Sequence, residues 1–173
     1  METPPDQPEP TADAHWMGLA LNEARHAAER DEVPVGAVVV RDGVVVGRGF
    51  NQPISSCNPV AHAEILALEE AARTLGNYRL LGCTLYVTLE PCTMCAGALV
   101  HSRIDRLVYG ATEPKAGAVV SRARVLELET MNHRVEVSGG VRGEECSELI
   151  SGFFRRRRAQ KRAERERSRG DST

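Results

Sequence analysis

Residues 84–110 read TLYVTLEPCTMCAGALVHSRIDRLVYG, and this stretch decides the fold. TLYVTL, Thr84 to Leu89, is short, apolar and rich in β-branched and aromatic side chains, which predicts a buried strand. Pro91 fits the first turn of a helix, where a missing N–H costs nothing. That helix reaches about His101, and RLVYG (106–110) predicts another strand. Strands and helices alternating this tightly point to an α/β layered sheet.

The flanking sequence extends the pattern. In GAVVVRDGVVVGRG (36–49) two β-branched runs flank Asp42-Gly43, a strong two-residue hairpin signal, with strands at about 36–41 and 44–49. Upstream, Thr11 or Asp13 can cap a helix. Its stripe is Trp16, Ala20, Ala24 and Ala27, widened by Met17, Leu21 and Ala28, and it ends near Arg30. Ile65, Leu68, Ala72 and Leu75 mark a second helix over 62–75. VLELE (125–129) predicts a short helix and RVEV (134–137) a fifth strand. Cys146, Leu149, Ile150, Phe153 and Phe154 follow the i, i+3, i+4, i+7, i+8 spacing of a last helix. The expected product is one sheet with helices on both faces.

Length and composition narrow the class. The 173 residues suit one domain with a real core. Residues 1–10 hold four prolines and no apolar anchor, which predicts disorder, with a folded domain over 11–158. The N-terminus lacks the basic start and apolar stretch of a signal peptide, and no apolar run is long enough to span a bilayer. A cytoplasmic location is the default expectation. Net charge is −2 but unevenly spread: from Arg155 onward there are nine Lys/Arg and three Asp/Glu, leaving an acidic body. The basic tail, 159–173, is expected to be disordered. Such a tail suits a polyanionic partner or is simply a solvated chain end.

The chemistry sits in two segments. AHAEILAL (61–68) carries His62 and Glu64; EPCTMC (90–95) carries Cys92 and Cys95. Both are predicted at helix starts, where unpaired N–H groups stabilise thiolates. One imidazole and two thiolates suit zinc. Three ligands leave a fourth position for water, the catalytic arrangement, and Glu64 is close enough to take that water's proton without binding the metal. His-x-Glu followed by Pro-Cys-x-x-Cys is the signature of zinc-dependent nucleobase deaminases. A thioredoxin-like Cys pair gives no reason for His-Ala-Glu. A closed structural site would need a fourth ligand, for which His15, His26, His101 and His133 are the spare candidates. Cys57, Cys83 and Cys146 read as single buried or loop residues. The motif alone does not choose among cytosine, adenine, guanine or a riboflavin precursor.

Well beyond that motif, the chain from Trp16 to Arg158 resembles the bacterial tRNA-specific adenosine deaminases, which make inosine at the wobble position of an anticodon. The resemblance rests on EVPVGAVVV (32–40), Asn51-Gln52-Pro53, AHAEILAL, NYRL (77–80), TLYVTLEPCTMCAGALVHSRI (84–104), PKAG (114–117), MNHRVEV (131–137) and GFFRRRR (152–158). It implies a cytidine-deaminase-like fold: a three-layer α/β/α sandwich around a five-stranded mixed sheet. It also implies one Zn²⁺ on His62, Cys92 and Cys95, with Glu64 as proton shuttle. Asn51 would bond the target base or its ribose, with Val35 and the Ala63 backbone lining the pocket. The loop of Glu113 and Lys115 would hold RNA beside the flipped base. Phe153, Phe154, Arg155 and the following arginines would meet the anticodon stem-loop. A homodimer acting on arginine tRNA is implied as well. Glu113 stands where Asp is usual in this family, Val120 near an expected Gly, and Gln52 for a common Arg. Two other readings compete: a deaminase of free guanine or deoxycytidylate, and a non-catalytic RNA-binding subunit with structural zinc.

Overall fold

The computed structural model of the protein describes residues 11–171. The expected disorder of 1–10 lies outside them. Helix α1 (Ala12–Glu29) starts at the Thr11 cap, whose hydroxyl accepts from the Ala14 amide at 3.3 Å. Strands β1 (Gly36–Arg41) and β2 (Val44–Phe50) form the expected hairpin. Asp42 and Gly43 both take positive φ (51° and 72°), as a turn matched to strand twist requires. Then follow α2 (Ala63–Leu75), β3 (Cys83–Leu89), α3 (Thr93–His101), β4 (Arg106–Ala111), a single 3-10 turn at Val125–Glu127, β5 (Glu136–Ser138) and α4 (Gly143–Gly170).

The five strands lie in the order β2-β1-β3-β4-β5. β1 runs antiparallel to β2 and β3, while β4 runs parallel to β3 and β5, so the sheet is mixed. Alternate side chains feed two cores, as a two-fold pleat dictates. Ala37, Val39, Leu85, Val87 and Leu107 face the α2/α3 layer. Val38, Val40, Tyr86 and Val108 face α1 and α4. The result is the three-layer α/β/α sandwich that the family resemblance implies.

Asp13, the other capping candidate, does something else. It takes both guanidinium nitrogens of Arg106, at 2.9 and 2.8 Å, and the Tyr86 hydroxyl at 3.0 Å, tying α1 to β3 and β4. The Arg106 guanidinium holds the Asp13 carboxyl below its usual range.

Helix α2 differs from its predicted packing. Its buried face is Ala63, Ala67, Leu68 and Ala71, while Ile65 is only half-buried. The alanines pack on Gly47 and Gly49 of β2. A Cβ at Gly47 would overlap the Ala67 carbonyl oxygen, and one at Gly49 the Ala63 carbonyl oxygen. The Glu70 carboxylate of α2 also accepts from the Arg48 amide of β2 at 2.9 Å. Small residues on both sides thus bring backbone to backbone.

Three boundaries also shift. The Cys92 carbonyl accepts from the Ala96 amide while Cys92 itself is extended, so Cys92 is the cap of α3 and Pro91 precedes it. β5 starts two residues late, because the Arg134 side chain is bonded to the carbonyls of Leu126 and Leu128, and pairing begins only at Glu136. The tail expected to be disordered from 159 is helical through Gly170. Between Phe154 and Gly170 the chain holds Arg, Lys, Ala, Gln and Glu, all good helix formers, plus one Ser.

The Gly49→Ala protein should unfold about 2–3 kcal/mol more easily in urea, because the methyl forces α2 off β2. Ala at the half-buried Gly97, where nothing stands within 4 Å of an added Cβ, is the matched control and should be neutral or slightly stabilising.

Candidate active site

Two helix starts meet at one point. His62 caps α2 and Cys92 caps α3, both with extended backbone. Neither side chain caps its own helix. The His62 ring is turned instead toward the cysteines: Nδ1 lies 3.6 Å from the Sγ of Cys92 and 3.6 Å from the Sγ of Cys95. Two ligands of one tetrahedral zinc, with Zn–N near 2.05 Å and Zn–S near 2.3 Å, stand about 3.5 Å apart. The spacing therefore fits an ion held by all three. Among the described residues this trio is the one group of His, Cys, Asp and Glu side chains able to hold a metal. None of the four spare histidines joins it.

One member of the cluster is already in its metal-binding form. A hydrogen bond from the Cys95 thiol, aided by His62, outweighs burial and brings Cys92 down to about 3. Cys92 is thus a thiolate, the form that binds metal. The same bond pushes Cys95 up. The neighbouring Cys92 raises His62. Glu64 is 4% exposed, and burial lifts its carboxyl above the usual carboxylate range against the pull of its own amide and of Cys95. A carboxyl that holds protons well, beside a metal-binding trio, can pass them to and from a bound molecule.

Because the His62 side chain is committed to the cysteines, another residue must serve the first amide of α2. Asn51 does so: its Oδ1 accepts from the Ala63 amide at 3.3 Å, and its own amide donates to the Val35 carbonyl at 3.0 Å. The Asn51 Nδ2 has no partner among the described residues and remains a free donor. Val35 and Ala63 are both buried beside it. Asn51, Val35 and Ala63 are therefore joined into one wall next to the trio.

Two buried glutamates support this site, and the sequence signals neither. The Glu32 carboxylate accepts from the amides of Ile54 and Ser55 and from the Ser55 hydroxyl, fixing the loop after Asn51. The Glu90 carboxylate accepts from the amides of Glu113, Val119, Val120 and Ser121 and from the Ser121 hydroxyl. The Ala118 amide bonds to the Pro91 carbonyl. The 113–121 loop is thereby clamped to the segment that carries Cys92. Burial pushes Glu90 up, but the Ser121 hydroxyl and the amides of Val120, Ser121 and Glu113 prevail and hold it at about 2.

Glu113 and Lys115 stand on that clamped loop; the Glu113 carboxylate accepts from the Lys115 amide, and the Lys115 side chain is exposed. On α4 the pair of rings divides. Phe153 is 6% exposed, stacked edge-on to Phe154 and covered by the Arg157 guanidinium, so it serves packing. Phe154 is 41% exposed and offers a free face. Arg155 is paired with Glu148 at 2.7 Å.

Residues 11–158 match a family described as MafB19-like deaminase. A Haemophilus influenzae protein named tRNA-specific adenosine deaminase is 51% identical over 154 residues, which span 88% of this chain and 89% of that one. A solved structure from work on A-to-I editing by tRNA:A34 deaminases at the wobble position of transfer RNA is similar at 50% identity. Its TM-score is 0.76, over 78% of this chain and 98% of that one. A guanine deaminase from Nitrosomonas europaea is similar at 25% identity and a TM-score of 0.69, over 88% of this chain and 93% of that one.

The Glu90 clamp has a pH signature. Its folded carboxyl titrates at about 2 and an unfolded one near 4.5, so the unfolded chain binds more protons between them. The stability Glu90 adds is full above 4.5 and is lost as pH falls toward 2. Glu90→Gln should cost about 2–3 kcal/mol at pH 7. The gap between the two proteins in urea unfolding should close below pH 4.5, and a gap independent of pH would contradict the clamp.

Proposed function

The chain belongs to the tRNA-specific adenosine deaminase family, and from that premise we propose that it converts adenosine to inosine at the wobble position of a tRNA anticodon, with arginine tRNA as substrate. The observation that carries the chemistry is the buried Glu64 beside the His62, Cys92 and Cys95 trio. Those three residues would hold one zinc ion through Nδ1 and two Sγ atoms. When bound, zinc supplies a Lewis acid that makes a water molecule acidic near neutral pH.

Glu64 would take a proton from the attacking water and deliver it to N1 of the purine as oxygen adds at C6. The same carboxyl would then carry the remaining proton of the new C6 hydroxyl to the amino group, and the C6–N bond breaks as ammonia leaves. Adenosine plus water gives inosine plus ammonia. The free Asn51 Nδ2 donates to the base or its ribose, and Val35 and Ala63 close the pocket against bulk water. An adenine can enter only after leaving its stack, as it does in a single-stranded loop. Glu113, Lys115 and the exposed ring of Phe154 are the groups available to hold the flanking nucleotides. The family resemblance further supports a homodimer and a cytoplasmic site of action. Light scattering at working concentration tests the first and should give twice the 18.9 kDa chain mass.

An arginine tRNA anticodon stem-loop with adenosine at the wobble position should yield inosine. Free adenosine, guanine and cytidine should be inert. Glu64→Gln should lower the rate by about a thousandfold while retaining one equivalent of zinc. Turnover of free guanine with a silent stem-loop would replace this reading by the free-base one. An unaffected Glu64→Gln protein would make the metal site structural. Chelation should abolish inosine formation, and added zinc should restore it.

A further inference from the structure

Helix α4 is 28 residues long, about 42 Å at roughly 1.5 Å per residue. Its last buried side chain is Phe153, and its family match stops at Arg158. Beyond that point it stands clear of the body as an exposed helix. Its side chains are not scattered at random around the axis. Arg158, Lys161, Arg162, Arg165 and Arg169 recur every three or four residues and line one shallow face, about 16 Å long, with Glu166 at its margin. Among the described residues none of these five cations is in an ion pair. Most of the acidic charge lies in the body: 21 of the 24 Asp and Glu residues precede Arg155.

The root of this helix is tied to the segment between α1 and β1. Arg157 donates to the Asp31 carbonyl at 3.3 Å. Asp31 adjoins Glu32, which fixes the loop after Asn51, and the same segment leads to Val35. The cationic face therefore begins one residue beyond a contact with the segment that leads to Val35.

We propose that the α4 extension beyond the Arg155–Arg158 run is a second anchor for the RNA substrate, in which Lys161, Arg162, Arg165 and Arg169 take the phosphate backbone of the stem while the loop adenosine occupies the pocket. This rests on the tRNA reading above. Beyond Phe154 the helix has no aromatic side chain, so it offers no aromatic platform for unpaired bases, and what it presents is chiefly charge. Charge alone reads phosphates without regard to sequence. A helix lying on a membrane would need an apolar face, and here the face opposite the five cations holds Gln160, Ala163, Glu164 and Arg167.

The test uses the full chain with K161Q, R162Q, R165Q and R169Q combined; glutamine keeps helix propensity and removes charge. Inosine formation is followed on the stem-loop across a salt series. KM near 0.1 M salt should rise about tenfold with kcat unchanged, and the slope of log affinity against log salt should become shallower by about 3. A companion protein with R162K, R165K and R169K keeps the charges and should behave as the parent does. A minimal loop oligonucleotide without the stem should be processed equally by all three. Equal KM and equal salt slope in parent and glutamine protein would overturn the proposal. So would a loss confined to kcat, which would mark a structural role. If the parent itself makes no inosine, the tRNA reading fails; a parent that works and a glutamine protein that matches it leaves that reading intact and removes the anchor.

Discussion

The close approach of α2 to β2 sets the position of everything in the site. Gly47 and Gly49 on the strand, and Ala63, Ala67 and Ala71 on the helix, remove the side chains that would otherwise hold the two backbones apart. The His62 cap can then reach the two cysteine sulfurs at 3.6 Å, a spacing of which one tetrahedral ion is the natural occupant. Glu64, two residues on, is carried into a dry position by the same contact. A larger residue on either side would move the ligand and the proton carrier together.

The site also shows how a helix end can be used twice. The starts of α2 and α3 favour negative charge, and Cys92 sits at one of them as a thiolate. Yet neither capping residue is free to cap. Asn51 takes over for α2, and in doing so its amide group is held with one end on the helix and the other open to the pocket. Structural need and substrate recognition thus converge on one side chain. Glu90 has a comparable economy on the other side of the cluster: one carboxylate organises a whole loop because that loop presents several amides to one point.

The sequence makes the hairpin and the ligand trio plain because each is a local signal. Asp42-Gly43 has few conformations open to it, and His-Ala-Glu with Pro-Cys-x-x-Cys has few chemical uses. What stays hidden is set by distant partners. The stripe Ile65, Leu68, Ala72 and Leu75 looks like the core face of α2, but the true face is the alanine row, since burial there depends on what the opposite strand lacks. Nothing near Glu90 or Glu32 reveals that each gathers amides from more than 20 residues away. The length of α4 is hidden for another reason. Charge and low apolarity suggest an unfolded end, while helix propensity, a weaker signal, favours order. Phe153 and Phe154 look alike in sequence, and only the structure separates the ring covered by Arg157 from the open one.

The bond from the Arg48 amide to the Glu70 carboxylate has a meaning beyond α2. β2 is an outer strand of the sheet, and outer strands invite pairing with another chain. Here an outward-pointing donor is already occupied by a helix side chain, two glycines weaken the strand, and its pairing with β1 carries an irregularity at Val39/Val40. A foreign strand arriving at this border would have to displace a carboxylate to begin its ladder. Sheet growth is discouraged on that side, so self-association through β-augmentation or edge-to-edge aggregation is guarded against by the same helix that carries the chemistry.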